Sequence, residues 1–170
     1  ADGWIVGRKT MAEYGADVVE EKEPMEGHKT MQTNTFIGKR EGRPLAVVFD
    51  IQGRLHYKSP TLPSGEHIVA VLGSHVTRAY QKELEEIGVS YIMRTPGSKL
   101  EETQSALKHL EHDFNVKHML LEGGAITCGN FLQMGLVDEL SMIVYPGLDG
   151  ESDHPSVIEC QGVVEPLKKN

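Results

Sequence analysis

Apolar runs of strand length recur along the chain at Trp4 to Val6, Leu45 to Phe49, Ile68 to Leu72, Val89 to Met93, His118 to Leu121 and Leu140 to Tyr145. Several are rich in β-branched residues, which suit a pleated, packed surface. Stretches with helical spacing lie between many of them. Val76 to Ile87 alternates apolar and charged positions with helical period, with Ser74 or Thr77 near its start and Gly88 at its stop. Lys99 to Phe114 forms a second helical stretch, opened by Ser98 with Glu101 three residues on, which is the capping-box spacing. A third helix is expected from Thr127 to Met134, ending at Gly135, and the first strand runs straight into another helix.

Strands alternating with helices predict an α/β layer fold whose largely parallel sheet is buried on both faces. In such a sheet, ligands gather at the carboxyl ends of the strands. The polar region from Asp17 to Arg43 lacks periodicity and reads as a long loop or flap, and Pro60 to Gly65 as a second loop. No repeat, linker or low-complexity tract divides the chain, so residues 1–170 are expected to form a single domain.

Composition narrows the partners. With 170 residues and 39% apolar content, the chain can bury one proper core. A net charge of −8 argues against a nucleic-acid or anionic-membrane partner, while leaving room for a local basic cluster that holds one small phosphorylated ligand. No apolar run approaches the ~20 residues that span a bilayer. The only cysteines are Cys128 and Cys160, too few for a disulfide framework or a thiolate zinc site, and a cytoplasmic location is expected. His109 and His112 lie three apart on the second helix, but no carboxylate of clear geometry accompanies them, and they read as solvated.

The chemistry concentrates in two strand-to-helix turns. In the first, Glu122-Gly123-Gly124-Ala125-Ile126-Thr127 follows the strand ending at Leu121. Backbone N–H groups and the positive end of a helix dipole converge there, and glycine lets an anion approach without a Cβ in the way. Such a turn can cradle a pyrophosphate, or it can be simply a tight turn. Glu122, at the strand's carboxyl end, is placed to bind a ligand's ring nitrogens or to assist a proton transfer, or to be satisfied by donors of the helix start. In the second, Gly7-Arg8-Lys9-Thr10 follows Trp4-Ile5-Val6. Arg8 and Lys9 supply positive charge and Thr10 a hydroxyl that serves as a cap or as a phosphate donor. Two phosphate-favouring turns suit a dinucleotide.

Gly7-Arg8-Lys9-Thr10 resembles the cofactor-binding turn of dihydrofolate reductases, Gly-Arg-x-Thr. Leu120-Leu121-Glu122-Gly123-Gly124 through Gly129 to Gly135-Leu136-Val137-Asp138-Glu139-Leu140 resembles the C-terminal reductase domain of the bifunctional riboflavin-biosynthesis deaminase/reductase. Tyr145-Pro146-Gly147-Leu148-Asp149-Gly150 is similar to the ending of that block, and Pro44 to Asp50 with Gly53-Arg54-Leu55 to its central strand. The resemblance covers Trp4 to Gly150. It implies a three-layer, dihydrofolate-reductase-like α/β fold and an NADPH-dependent reductase acting on a phosphorylated pyrimidine or pterin-like substrate, with a homodimer as the assembly. Gly123, Gly124, Ala125, Ile126 and Thr127 would lie along the pyrophosphate. Arg8, Lys9 and Thr10 would face the adenosine end beside Gly7, with Arg8 and Lys9 at the 2′-phosphate. Glu122 would border nicotinamide and substrate, and Asp50 and Ser74, at the ends of the second and third strands, would border the cofactor. The family's reaction reduces the ribose carbon of a phosphoribosylamino-pyrimidine to a ribityl chain.

Two features depart from the family pattern. Its first strand carries a Ser-x-Asp-Gly-type signature, for which Ala1-Asp2-Gly3 stands before the wrong strand, so either N-terminal residues lie outside this sequence or part of the substrate pocket differs. The loop from Asp17 to Arg43 shows Thr33-Asn34-Thr35 and a distant Arg40 or Arg43 in place of the family's Asp-x-Pro and Leu-Thr-x-Arg patterns. The chain also stops at Lys168-Lys169-Asn170, where the fold would add a last strand. A dihydrofolate-reductase-like enzyme with another heterocyclic substrate, and a nucleotide-binding module without turnover, are the alternative readings.

Overall fold

The computed structural model describes residues 1–15, 18–23, 35–144, 146–147 and 156–160. The segments Gly27-His28-Lys29, Thr33-Asn34, Leu148-Asp149-Gly150 and Lys168 to Asn170, together with Tyr145, lie outside them. Two compact units divide the chain, Ala1–Glu122 and Gly123–Asn170.

The first unit is built on a sheet of six strands: β1 (Gly3–Gly7), β3 (Thr35–Phe36), β4 (Leu45–Phe49), β6 (His67–Leu72), β7 (Ser90–Met93) and β8 (Met119–Leu121). Their order is β3-β7-β6-β4-β1-β8. Every pairing is parallel except that of β3 with β7. The register aligns Gly7 with Phe49 and Phe49 with Val71, so these strands end on a common carboxyl edge. A small antiparallel ladder joins β2 (Val18–Glu20) to β5 (Leu55–Tyr57).

The central strands are buried on both sides, which is why their sequences run apolar without alternation. One set of side chains, including Val6, Ala46, Val48, Ala70, Leu72 and Met93, packs in a core with Met11 of α1 (Arg8–Tyr14) and Tyr80 and Leu84 of α2 (Arg78–Ile87). The alternate residues Ile5, Val47, Val69, Val71 and Ile92 are equally buried. α3 (Lys99–Phe114) packs against β7 and buries Thr103, Ala106, Leu110 and Phe114. The result is the mixed α/β, mostly parallel architecture the sequence predicts.

Local chemistry explains the helix ends. Ser98 and Glu101 form a full capping box, and Thr77, rather than Ser74, caps α2 by accepting from the Tyr80 N–H at 3.3 Å. α2 therefore starts at Arg78, two residues after its expected beginning. Gly88 closes it in the left-handed region at φ 90°. Within the expected loop from Asp17 to Arg43, β2 and β3 are short strands held by distant partners.

Asp2-Gly3 has a structural task. The Asp2 carboxylate accepts from the N–H groups of Lys117 (2.6 Å) and His118 (2.9 Å), which hold its pKa below the usual carboxylate value. It thereby ties the start of β1 to the approach to β8.

In the second unit, α4 (Ala125–Gln133) begins two residues before the expected start. Gly135 follows it at φ 67°. The expected strand from Leu140 to Tyr145 does not form over its described part: residues 140–144 have no regular structure, and Ile143 and Val144 are 95% and 80% exposed. Alternating apolar residues make a strand only when a partner ladder satisfies their backbone, and these residues pair with no described strand.

Candidate functional site

Three sequence-selected groups share the carboxyl edge of the six-stranded sheet: the Gly7 turn after β1, Asp50 after β4 and Ser74 after β6. Glu122 follows β8, its N–H donating to the Ile5 carbonyl at 3.0 Å, and its side chain is exposed. A solvent-facing carboxylate at a strand terminus is free to meet a ligand.

Gly7 is the N-cap of α1 with φ −81° and ψ 162°, extended backbone open to any residue. No special dihedral therefore requires glycine at this position. Lys9 is exposed and Thr10 half-buried. Arg8 points to β2, where its guanidinium pairs with the Glu20 carboxylate. Glu20 is shared: Arg54, on the turn between β4 and β5, places Nη2 3.3 Å from the same carboxylate oxygen. Arg54 is fixed further by donating Nε to the Glu21 carbonyl at 2.7 Å. Two guanidiniums thus bracket one carboxylate, all three side chains between 18% and 27% exposed. The Asp50 carboxyl also faces Arg8, so the two guanidiniums meet two carboxyl groups and what the trio has in surplus is N–H donors.

Asp50 is fully buried. Its Oδ2 accepts from the backbone N–H groups of Arg54 (2.7 Å) and Leu55 (2.8 Å), and the Tyr80 hydroxyl lies 3.3 Å away while approaching the Leu55 carbonyl at 2.5 Å. Burial pushes the Asp50 carboxyl up from its ordinary value, opposed by the two N–H groups and by the charge of Arg8. Among the described residues Oδ1 has no hydrogen-bond partner, nor does the buried Tyr57 hydroxyl. Asp50 is thus primarily the staple of the turn that carries Arg54. Ser74 is half-buried in the turn between β6 and α2.

In the second unit, Gly124 is the N-cap of α4 at φ 53° and ψ 138°, a conformation that L side chains rarely adopt, and it supplies no side-chain cap. Among the described residues no side chain caps this terminus, so the first-turn N–H groups of Ala125, Ile126 and Thr127 are placed as an anion site needs them. Gly123 is buried and Gly124 exposed. Cys128 sits on this turn with Sγ 3.7 Å from the Gly123 carbonyl, and burial raises its pKa, so it is a packed thiol and not an activated one.

Neither Glu20 nor Arg54 stands out as a site residue in the sequence. Arg54 lies within the matched Gly53-Arg54-Leu55 string, but its proximity to Arg8 depends on the β2–β5 ladder, which local pattern does not reveal. His109 pairs with Asp113 at 2.6 Å, and among the described residues no group of three His, Cys, Asp or Glu is placed to hold a metal. No helix among them is long and apolar enough to cross a membrane.

The mostly parallel six-stranded sheet agrees with a comparison against known families. The family described as the RibD C-terminal domain matches residues 1–170, so the chain belongs to that family, an oxidoreductase domain of the riboflavin pathway with a dihydrofolate-reductase-like fold.

Proposed function

We propose that residues 1–170 act as one reductase domain that uses NADPH to reduce the ribose carbon of a phosphoribosylamino-pyrimidine. The observation that carries this reading is the positive-φ Gly124 terminus of α4, which no described side chain caps and which stands two residues after the strand-end Glu122. Its residues suit a pyrophosphate: first-turn N–H donors that no described side chain caps. The Arg8–Glu20–Arg54 trio, with two guanidiniums' worth of N–H donors, suits a second phosphate.

A bound nicotinamide supplies the hydride. The chain's own residues bind and orient. Gly123 to Thr127 hold the pyrophosphate; Gly7, Arg8, Lys9 and Thr10 hold the adenosine end. Asp50 keeps the β4–β5 turn in shape, and Ser74 borders the cofactor from the next strand end. Glu122 contacts the substrate, and its exposed carboxylate can accept a hydrogen bond from a heterocycle N–H or from a ribose hydroxyl. A homodimer is supported by the apolar stretch at Leu140, Met142, Ile143 and Val144, which a monomer leaves in water. The two unpaired cysteines suit a reducing, cytoplasmic setting.

The test is a fluorescence titration with NADPH and NADH, followed by absorbance-monitored NADPH oxidation with the pyrimidine and with dihydrofolate. Tight NADPH binding with turnover of the pyrimidine is the expected result. Turnover of dihydrofolate alone would move the substrate assignment, and failure to bind either dinucleotide would end the reading.

A further inference from the structure

We infer that Glu20 is an internal stand-in for the cofactor's 2′-phosphate, and that Arg54, together with Arg8, forms the clamp selecting NADPH over NADH. The inference rests on the cofactor reading above and assigns two residues, Glu20 and Arg54, to its phosphate specificity.

Three observations lead to it. The Glu20 carboxylate is bracketed by guanidiniums from two separate elements, the start of α1 and the β4–β5 turn. Both arginines are about four-fifths covered, so the pair is held in place and not freely solvated. The bracket also holds more N–H donors than its carboxylate can use, even with the buried Asp50 carboxyl facing Arg8. Two guanidiniums present several N–H donors to a monoanion that uses a single oxygen, Oε1, for both contacts. A phosphate monoester carries about two charges and three acceptor oxygens, and it fits that donor set better than a carboxylate.

Position supports the same conclusion. Arg8 is the first residue after the carboxyl end of β1, and Arg54 hangs from a turn anchored by buried Asp50 at the end of the neighbouring β4. Arg54 is pre-aimed by its Nε bond to the Glu21 carbonyl. Glu20 itself sits on a three-residue strand held by the β2–β5 ladder, so its carboxylate can swing away without disturbing the six-stranded sheet. Binding of a 2′-phosphate would then displace Glu20 from the bracket, a competition that lowers NADPH affinity while leaving NADH untouched.

The experiment compares wild type, Glu20→Gln and Arg54→Met in titrations with NADPH, NADH and adenosine 2′,5′-bisphosphate, with thermal melts confirming that each variant folds. Glu20→Gln should tighten NADPH and the bisphosphate about tenfold, the equivalent of one charge-assisted hydrogen bond, with NADH unchanged. Arg54→Met should weaken the same two ligands by about tenfold, again sparing NADH. If wild type prefers NADPH and Glu20→Gln leaves that preference unmoved or lowers it, the inference is overturned while the cofactor reading stands. The Glu20→Gln comparison decides this even if Arg54→Met fails to fold. If wild type binds neither dinucleotide, the cofactor reading fails and this inference fails with it.

Discussion

Replacing Asp50 separates its structural duty from any contact with a ligand. Its Oδ2 accepts two backbone N–H groups, from Arg54 at 2.7 Å and Leu55 at 2.8 Å, in a fully buried position. In Asp50→Ala both donors lose their acceptor. Each buried unsatisfied donor costs about 1–3 kcal/mol. Relief from burying a carboxyl whose Oδ1 has no partner among the described residues offsets part of that loss. The expected net destabilisation is therefore ~2–4 kcal/mol, or roughly 5–15 °C in melting temperature for a chain of this size. Asp50→Asn keeps the acceptor oxygen and should lose no more than ~1 kcal/mol.

The two variants also differ with pH. Burial raises the Asp50 pKa above its ordinary value of 3.8, so the folded state holds the proton more tightly than the unfolded chain. Native stability from this group consequently falls as pH rises from 3.8 through the folded-state value. Asp50→Asn lacks that slope, so it should gain on wild type across the same interval. Urea unfolding followed by circular dichroism at several pH values measures both effects. Asp50→Asn losing as much as Asp50→Ala, or Asp50→Ala melting with wild type, would refute the staple.

Buried His67 contacts the Ser90 hydroxyl at 2.7 Å, and burial together with Arg40 and Arg43 lowers its pKa from 6.5. Stability from neutral His67 is thus complete above pH 6.5 and is lost as pH falls toward the folded-state value; His67→Gln should flatten that part of a stability–pH curve. Gly3→Ala would press a Cβ into the Leu45 carbonyl oxygen, backbone that cannot move aside within the β1–β4 ladder, and should cost about 3 kcal/mol in chemical denaturation. Gly124→Asp would place a side chain at φ 53° and a negative charge at the α4 terminus, where it can cap the helix yet repel an anion. It should fold, and NADPH binding in a titration should weaken by about tenfold or more; unchanged affinity would remove Gly124 from the pyrophosphate assignment.

Elements whose signals are local are legible in the chain itself. The runs at Leu45 to Phe49 and Ile68 to Leu72 are long enough, and apolar enough, to have no stable place except a doubly covered sheet. Ser98-x-x-Glu101 and Gly88 mark helix ends because capping involves atoms only a few residues apart. The Gly123-Gly124 turn is legible for the same reason, since the dihedral it needs is a property of the residue type. Family resemblance carries the activity class further than these patterns reach.

Other features are decided by tertiary structure. β2, β3 and β5 span three, two and three residues, too few to show a period, and they exist because distant segments complete their ladders. The run from Leu140 shows the converse, an apolar pattern without a described partner and so without a strand. Asp50 reads as a ligand contact at a strand end, yet its depth and two N–H partners make it a staple. Arg8, Glu20 and Arg54 stand far apart in the chain, and only the fold brings their charges within reach of one another. Hydrophobic periodicity and capping act over a few residues and are written in the chain, whereas burial and charge pairing depend on distances that only folding sets.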